Sequence, residues 1–217
     1  MLTQRWPTGP RSRQKLAFTD HFLKHQAKLA KEIRSTFHSF DDIAGGPTLF
    51  GCKYLKAFIQ ESLRAAPPVG AELNREVIKG GMVVDGEFVP EGVNVSVGHY
   101  CLSYNRDIFP EPLEFRPERW IVGEKESSAE SVALAESAFC AFSAGPRSCP
   151  GKNLAWLEMM IVMAKVIYKF EVRRDFADNL GGGSPEGRLG RRNPDQFQTF
   201  DAFVGLRQGP MVQFKRR

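Results

Sequence analysis

The sequence predicts a mainly α-helical protein carrying small antiparallel β-sheets. Apolar residues recur at helical spacing in three long stretches, short β-branched runs cluster between residues 82 and 97, and Gly- and Pro-rich breaks separate them. The chain has 217 residues, of which 42% are hydrophobic. That is enough for one substantial core, or for part of a larger one, and it excludes a disordered class.

The opening residues 1–10 are polar and broken by Pro7, Gly9 and Pro10, so they read as an irregular leader and not as a signal peptide. From Thr19, the expected N-cap, Phe22, Gln26, Leu29, Ile33 and Phe37 form one helical stripe with lysines on the other faces. His21 and His25 are one turn apart, but with no third ligand nearby they are expected to be solvated. Ala44-Gly45-Gly46-Pro47 breaks this pattern. Tyr54, Leu55, Phe58, Ile59 and Leu63 then define a second helix that ends before Pro67-Pro68. Met82–Val84 and Glu87–Val89 around Asp85-Gly86 read as a hairpin, and Val93–Val97 as a further strand. Residues 121–138 are mostly polar and small, with Ser127-Ser128-Ala129-Glu130 spaced as a capping box for a short helix. A third helix follows residue 151, with Leu154, Leu157, Ile161, Ala164 and Val166 to Tyr168 in period. Gly181-Gly182-Gly183-Ser184-Pro185 is a flexible loop by composition. Phe200–Leu206 and Met211–Phe214 flank Gly209-Pro210 as an expected closing hairpin.

Composition excludes several functions. The four cysteines include no Cys-x-x-Cys pair and no secretory signal precedes them, which argues against a zinc site or a disulfide framework. A net charge of +5 without interleaved aromatic motifs gives no basis for nucleic-acid binding, and an acidic protein partner fits as well. No run approaches the roughly eighteen consecutive apolar residues of a membrane span.

The strongest signal is Phe142-Ser143-Ala144-Gly145-Pro146-Arg147-Ser148-Cys149-Pro150-Gly151. Phe, Gly, Arg, Cys and Gly at those offsets would arise by chance about once in ten thousand such sequences. Gly145 to Lys152 departs from a Walker phosphate loop, which needs four residues between its glycines and Ser or Thr after the Lys, where Asn153 stands here. Cys149 lies just ahead of a helix start, where unpaired N–H groups and the helix dipole favour a thiolate. Pro150 has no N–H, so donors to the sulfur begin at Gly151 and Lys152.

This segment resembles the haem-binding loop of cytochromes P450. The resemblance implies that Cys149 is the thiolate ligand of haem iron, which favours cleavage of a bound O–O bond. It also implies that Phe142 shields the sulfur, that Gly145 and Gly151 let the backbone turn and approach the macrocycle, and that Arg147 pairs with a haem propionate. Glu61-Ser62-Leu63-Arg64 alone would be an ordinary helix pair contributing about 0.2–1 kcal/mol. Phe115-Arg116-Pro117-Glu118-Arg119-Trp120 resembles the family segment whose Arg completes a buried triad, here Glu61, Arg64 and Arg119, with a structural role. Arg75 stands where many members carry a second propionate-binding Arg, and residues 68–73 would run beside the substrate pocket.

In this comparison residues 28–217 form the C-terminal part of the P450 fold, with the haem loop at 142–151, and residues 1–27 a divergent leader. The wording around Phe142 to Ala155 is most similar to fungal microsomal members that oxidise secondary metabolites or small aromatics. The function implied is a monooxygenase that inserts one atom of O2 into a small organic substrate, with electrons from an NADPH-dependent reductase. The family is typically held at the endoplasmic reticulum membrane, and the chain as written, without an anchor, is expected in the cytoplasm. The acid–Thr pair of the oxygen side is not found, since Ala44-Gly45-Gly46-Pro47-Thr48 is interrupted by Pro47. No catalytic residue is therefore assigned. The alternative is a truncated fragment without turnover, at most a haem-binding or interaction module.

Overall fold

Helix α1 spans Arg13–Thr36. It begins earlier than the Thr19 cap expected from the sequence, because Gln14, Lys15, Leu16 and Ala17 are good helix formers and carry the helix back through Thr19. The computed structural model describes residues 13–175, 181–193, 198–200, 204–206 and 208–217, with side chains from residue 25 onward except that of residue 174. Residues 1–12 of the expected leader and the side chains of His21 and Phe22 lie outside that description. Two compact units are formed, one from Met1–Ile59, Pro150–Gln198 and Arg207–Arg217, the other from Gln60–Cys149 and Thr199–Leu206.

In the first unit the apolar stripe of α1 packs on α6 (Lys152–Lys169), with the short α2 (Pro47–Phe50) beside them. Leu29, Ile33, Phe37, Leu49, Met160, Ala164 and Ile167 are buried there. Gly45 makes this approach possible, since a Cβ on it would sit 2.8 Å from Leu157 Cδ1. His25 corrects the sequence expectation of a solvated histidine. It is 4% exposed, and its Nδ1 shares a 2.8 Å hydrogen bond with the Tyr54 hydroxyl. Burial of one α1 face, set by Leu29 and Ile33, carries His25 inward one turn before them.

Helix α3 (Lys53–Ala65) is capped from a distance. The Glu32 carboxylate accepts from the N–H groups of Tyr54 and Leu55, both at 2.8 Å, satisfying two orphan donors and complementing the positive end of the helix. Glu32→Ala is expected to lower stability by about 1–2 kcal/mol, read as a shift of the urea midpoint with unchanged m-value.

In the second unit β1 (Arg75–Glu76) pairs antiparallel with β4 (Asn94–Val95), and β2 (Met82–Val84) with β3 (Glu87–Val89). Asp85 and Gly86 both have positive φ, 50° and 84°, as a two-residue hairpin turn requires. The strand expected over Val93–Val97 is shorter, because its partner offers only two residues of ladder. Helix α4 (His99–Ser103), a 3-10 turn at Pro117–Trp120 and α5 (Ala129–Ser137) follow. The expected capping box shifts by one residue. Ser128 caps α5 by accepting from Ser131 N–H at 3.2 Å, whereas the Ser127 hydroxyl donates to the Glu118 carbonyl.

The closing hairpin expected around Gly209-Pro210 does not form. Phe200 and Leu206 pair with each other in the second unit, residues 201–203 lying outside the description. β6 (Val212–Arg216) instead pairs along its whole length with β5 (Phe170–Arg174), in register Phe170↔Arg216. Alternation decides this: Phe170 and Phe214 fall on one face, and their rings meet edge to face at 5.8 Å. The Gly181–Pro185 stretch is tied back by Gly183 N–H to Asn193 O at 3.1 Å and Ser184 N–H to Arg191 O at 2.9 Å. Its glycines therefore serve a close backbone crossing. Among the described residues no helix is long and apolar enough to cross a membrane, and no cluster of metal-binding side chains occurs.

Candidate functional site

Glu61 is the electrostatic centre of the second unit. It is fully buried on α3, and its carboxylate accepts five hydrogen bonds. Arg64, one turn further along α3, grips it with Nε to Oε2 and Nη2 to Oε1, each at 2.9 Å. Arg119 Nε reaches Oε1 at 3.1 Å from the 3-10 turn. The remaining two donors are the Arg116 backbone N–H and the Trp120 indole N–H, each at 2.9 Å.

Local chemistry explains the convergence. Pro117 forces Arg116 into an extended conformation, φ −136° and ψ 86°, and starts the tight turn that brings Arg119 and Trp120 to the same carboxylate. The guanidiniums have further acceptors. Arg64 donates to the Ser103 carbonyl at 2.9 Å, and Arg119 to Pro110 O at 3.1 Å and Glu114 O at 3.3 Å. Phe109 and Tyr104 lie 5.5 Å below the Arg64 guanidinium. Burial and the neighbouring Tyr100 push the Tyr104 hydroxyl up to about 12. It remains a donor to the Ala65 carbonyl at the end of α3, at 2.7 Å. Burial alone would raise the Glu61 carboxyl. The Arg64 hydrogen bonds, the charges of Arg64 and Arg119 and the Arg116 N–H overcome it and hold the group below the usual carboxylate range.

Trp120 connects this cluster to the cysteine loop. Its ring meets Phe139 edge to face at 5.4 Å and Phe109 at 5.9 Å. Beyond Phe139 the chain turns at Ser143 and Gly145, with φ of 60° and 71°, and makes a 3-10 turn at Gly145–Arg147. Cys149 N–H then returns to the Phe142 carbonyl at 2.8 Å, and Ser148 N–H to the Gly145 carbonyl at 3.0 Å. The loop is closed by its own backbone, so the Cys149 thiol stands exposed. Beyond Gly145 and its two chain neighbours, no described heavy atom lies within 4 Å of where a Gly145 Cβ would be.

The structure thus brings Glu61, Arg64 and Arg119 together, and joins Phe142 to Cys149. Phe142 is half-buried, Arg147 ends the 3-10 turn exposed, and Gly151 is the N-cap of α6. Arg75 is exposed on β1, its guanidinium folded onto the carbonyls of Asn74 at 2.9 Å and Leu73 at 3.4 Å. Sequence reasoning missed Trp120 and the Arg116 N–H as ligands of Glu61. Both belong to the motif that supplied Arg119, but only the turn geometry aims them.

Helices joined by small antiparallel sheets, with a cysteine loop ahead of the long α6, form part of the fold of a haem-thiolate protein. The chain belongs to the cytochrome P450 family, whose description matches residues 21–180. It is similar to Cytochrome P450 monooxygenase apf8 of Gibberella fujikuroi, 42% identical over 209 residues, covering 93% of this chain and 55% of that protein. It is 43% identical over 194 residues to Cytochrome P450 monooxygenase apf7 of the same fungus, covering 88% of this chain and 36% of that one. With Cytochrome P450 monooxygenase AKT7 of Alternaria alternata it shares 37% over 193 residues, 87% of this chain and 37% of the relative. The chain therefore spans between about a third and just over half of the length of these relatives.

Proposed function

We propose that this chain carries the thiolate-bearing part of a P450 monooxygenase site, with Cys149 as the axial ligand of haem. The exposed Cys149 thiol, presented by a loop whose N–H and carbonyl groups bond internally, is the observation that carries the reading. Open space over Gly145, whose positive φ suits glycine, supports a fit to a flat macrocycle. Arg147 and Arg75, both exposed in the same unit, would each hold a propionate. Phe142 would keep water from the sulfur. Glu61, Arg64 and Arg119, with Trp120 as the link to Phe139, would hold the loop in place and take no part in chemistry.

Bound haem would supply activation of O2 for insertion of one oxygen atom into a small organic substrate. Electrons would come from an NADPH-dependent reductase, received on the basic face near Lys152, and the segment 68–73 would border the substrate. The names of the matching relatives support the reaction class and leave the substrate to be found by assay.

The test is haem reconstitution of the purified chain, reduction and a carbon monoxide spectrum, beside Cys149→Ala. A thiolate-type Soret band that the variant loses is expected, with the unfolding free energy changed by less than about 0.5 kcal/mol because the thiol is exposed. Failure to retain haem, or a band that survives in Cys149→Ala, would sink the assignment of the ligand.

A further inference from the structure

In the first unit, the ends of α1, α6 and β6 surround a cavity of about 600 Å3. Phe37, Phe40 and Tyr168 form apolar walls, and four cations line it: Arg34, Lys169, Arg216 and Arg217. Lys165 adds a fifth nearby. Its Nζ and that of Lys169 lie 4.5 and 5.0 Å from the centre of the Phe40 ring. Among the described residues no Asp or Glu lines the cavity, and the carboxylate that acts on Arg34 is that of Glu171 on β5.

Part of this cluster has a reason in the fold. Arg34 Nη2 donates to the Ile167 carbonyl at 2.8 Å, and Arg217 N–H to that of Lys169 at 3.3 Å, so they satisfy orphan carbonyls at the end of α6. Lys169, in the last turn of α6, complements the same helix end and lies over Phe40. That leaves Arg216 and the rest of the Arg34 fork unexplained. Arg34 Nε is buried with no hydrogen-bond partner, an expensive state for a charged donor. Burial, then the nearby Arg217, holds its guanidinium below the ordinary arginine value. A group of cations gathered against apolar walls, with an orphaned donor among them, is relieved by a multiply charged anion.

We propose that this cleft binds a phosphoryl group, carried by a soluble molecule or by a lipid headgroup, held by Arg34, Lys169 and Arg216. The arginine forks match the geometry of phosphate oxygens, Lys169 adds a point charge, and the aromatic walls flank the ion pairs on one side. The site is independent of the haem reading.

Two assays on the full chain distinguish the sources. Inorganic pyrophosphate is titrated calorimetrically, and phosphatidylcholine vesicles with and without phosphatidate are co-sedimented. Arg216→Gln and Lys169→Gln are expected to weaken binding at least about tenfold each. Arg188→Gln, on an exposed loop away from the lining, should leave it within about twofold. Arg216 is exposed and neither variant removes a described hydrogen bond, so thermal melts should show both folded. Pyrophosphate binding alone assigns a soluble ligand, and phosphatidate-dependent sedimentation lost in the same two variants assigns a headgroup. Absence of saturable binding in both assays overturns the proposal, as does binding that Arg188→Gln weakens as much as Arg216→Gln and Lys169→Gln.

Discussion

Glu61→Gln is expected to lower the stability of the chain by about 3–5 kcal/mol, the cost of leaving buried guanidiniums without their counter-charge. The amide keeps the shape of the carboxylate and removes the reason for it. Five donors converge on the two oxygens of Glu61, and an NH2 group in place of one oxygen would face donors from Arg64, Arg119, Trp120 or the Arg116 N–H. The measurement is the midpoint of urea unfolding at neutral pH. A pH series sharpens it. The folded-state value of Glu61 lies below its ordinary 4.5, so the unfolded chain binds more protons between those two values. The stabilisation is therefore complete above the ordinary value and is lost as pH falls through the folded one. Glu61→Gln should lack that part of the acid dependence. A variant as stable as the parent, with the same acid limb, would remove Glu61 from the centre of the fold.

Arg64→Lys is the second large effect, expected to cost about 3 kcal/mol although it preserves charge. A single ammonium cannot reproduce a two-pronged grip on Glu61 together with the bond to the Ser103 carbonyl. It also lacks the planar face that lies over Phe109 and Tyr104. Because Arg64 is 1% exposed, water cannot stand in for the lost contacts. Haem retention should fall with stability in this variant, whereas Cys149→Ala is expected to abolish the thiolate spectrum at unchanged stability. Equal unfolding midpoints for Arg64→Lys and the parent would show that the charge alone sufficed.

Much of this was legible along the chain because local rules and tertiary contacts agree. The helical stripe of Leu29 and Ile33, the Asp85-Gly86 turn and the helix after Cys149 each carry their own periodicity or backbone preference. The misreadings fall where a local rule had a competitor. Thr19 is a good cap but sits inside a run of helix formers. Met211–Phe214 alternates well enough to pair with any strand, and the phenylalanine of β5 outbids the nearer segment. Ser127 and Ser128 offer the same cap chemistry, and the Glu118 carbonyl occupies one of them. His25 is polar by type, yet its place on the α1 stripe decides its burial.

The sequence by itself determined the family, the order of the helices and the cysteine around which a site is proposed, because those features depend on residue type at fixed spacing. Tertiary structure decided what Glu61 holds, with Trp120 and a backbone N–H joining two arginines, and it decided which strand closes the chain. It also gathered Arg34, Lys169 and Arg216 around one cleft from separate parts of the sequence. Charges that are scattered along a chain are screened by water. Only folding places them close together against apolar walls, where the lower dielectric makes their mutual arrangement matter.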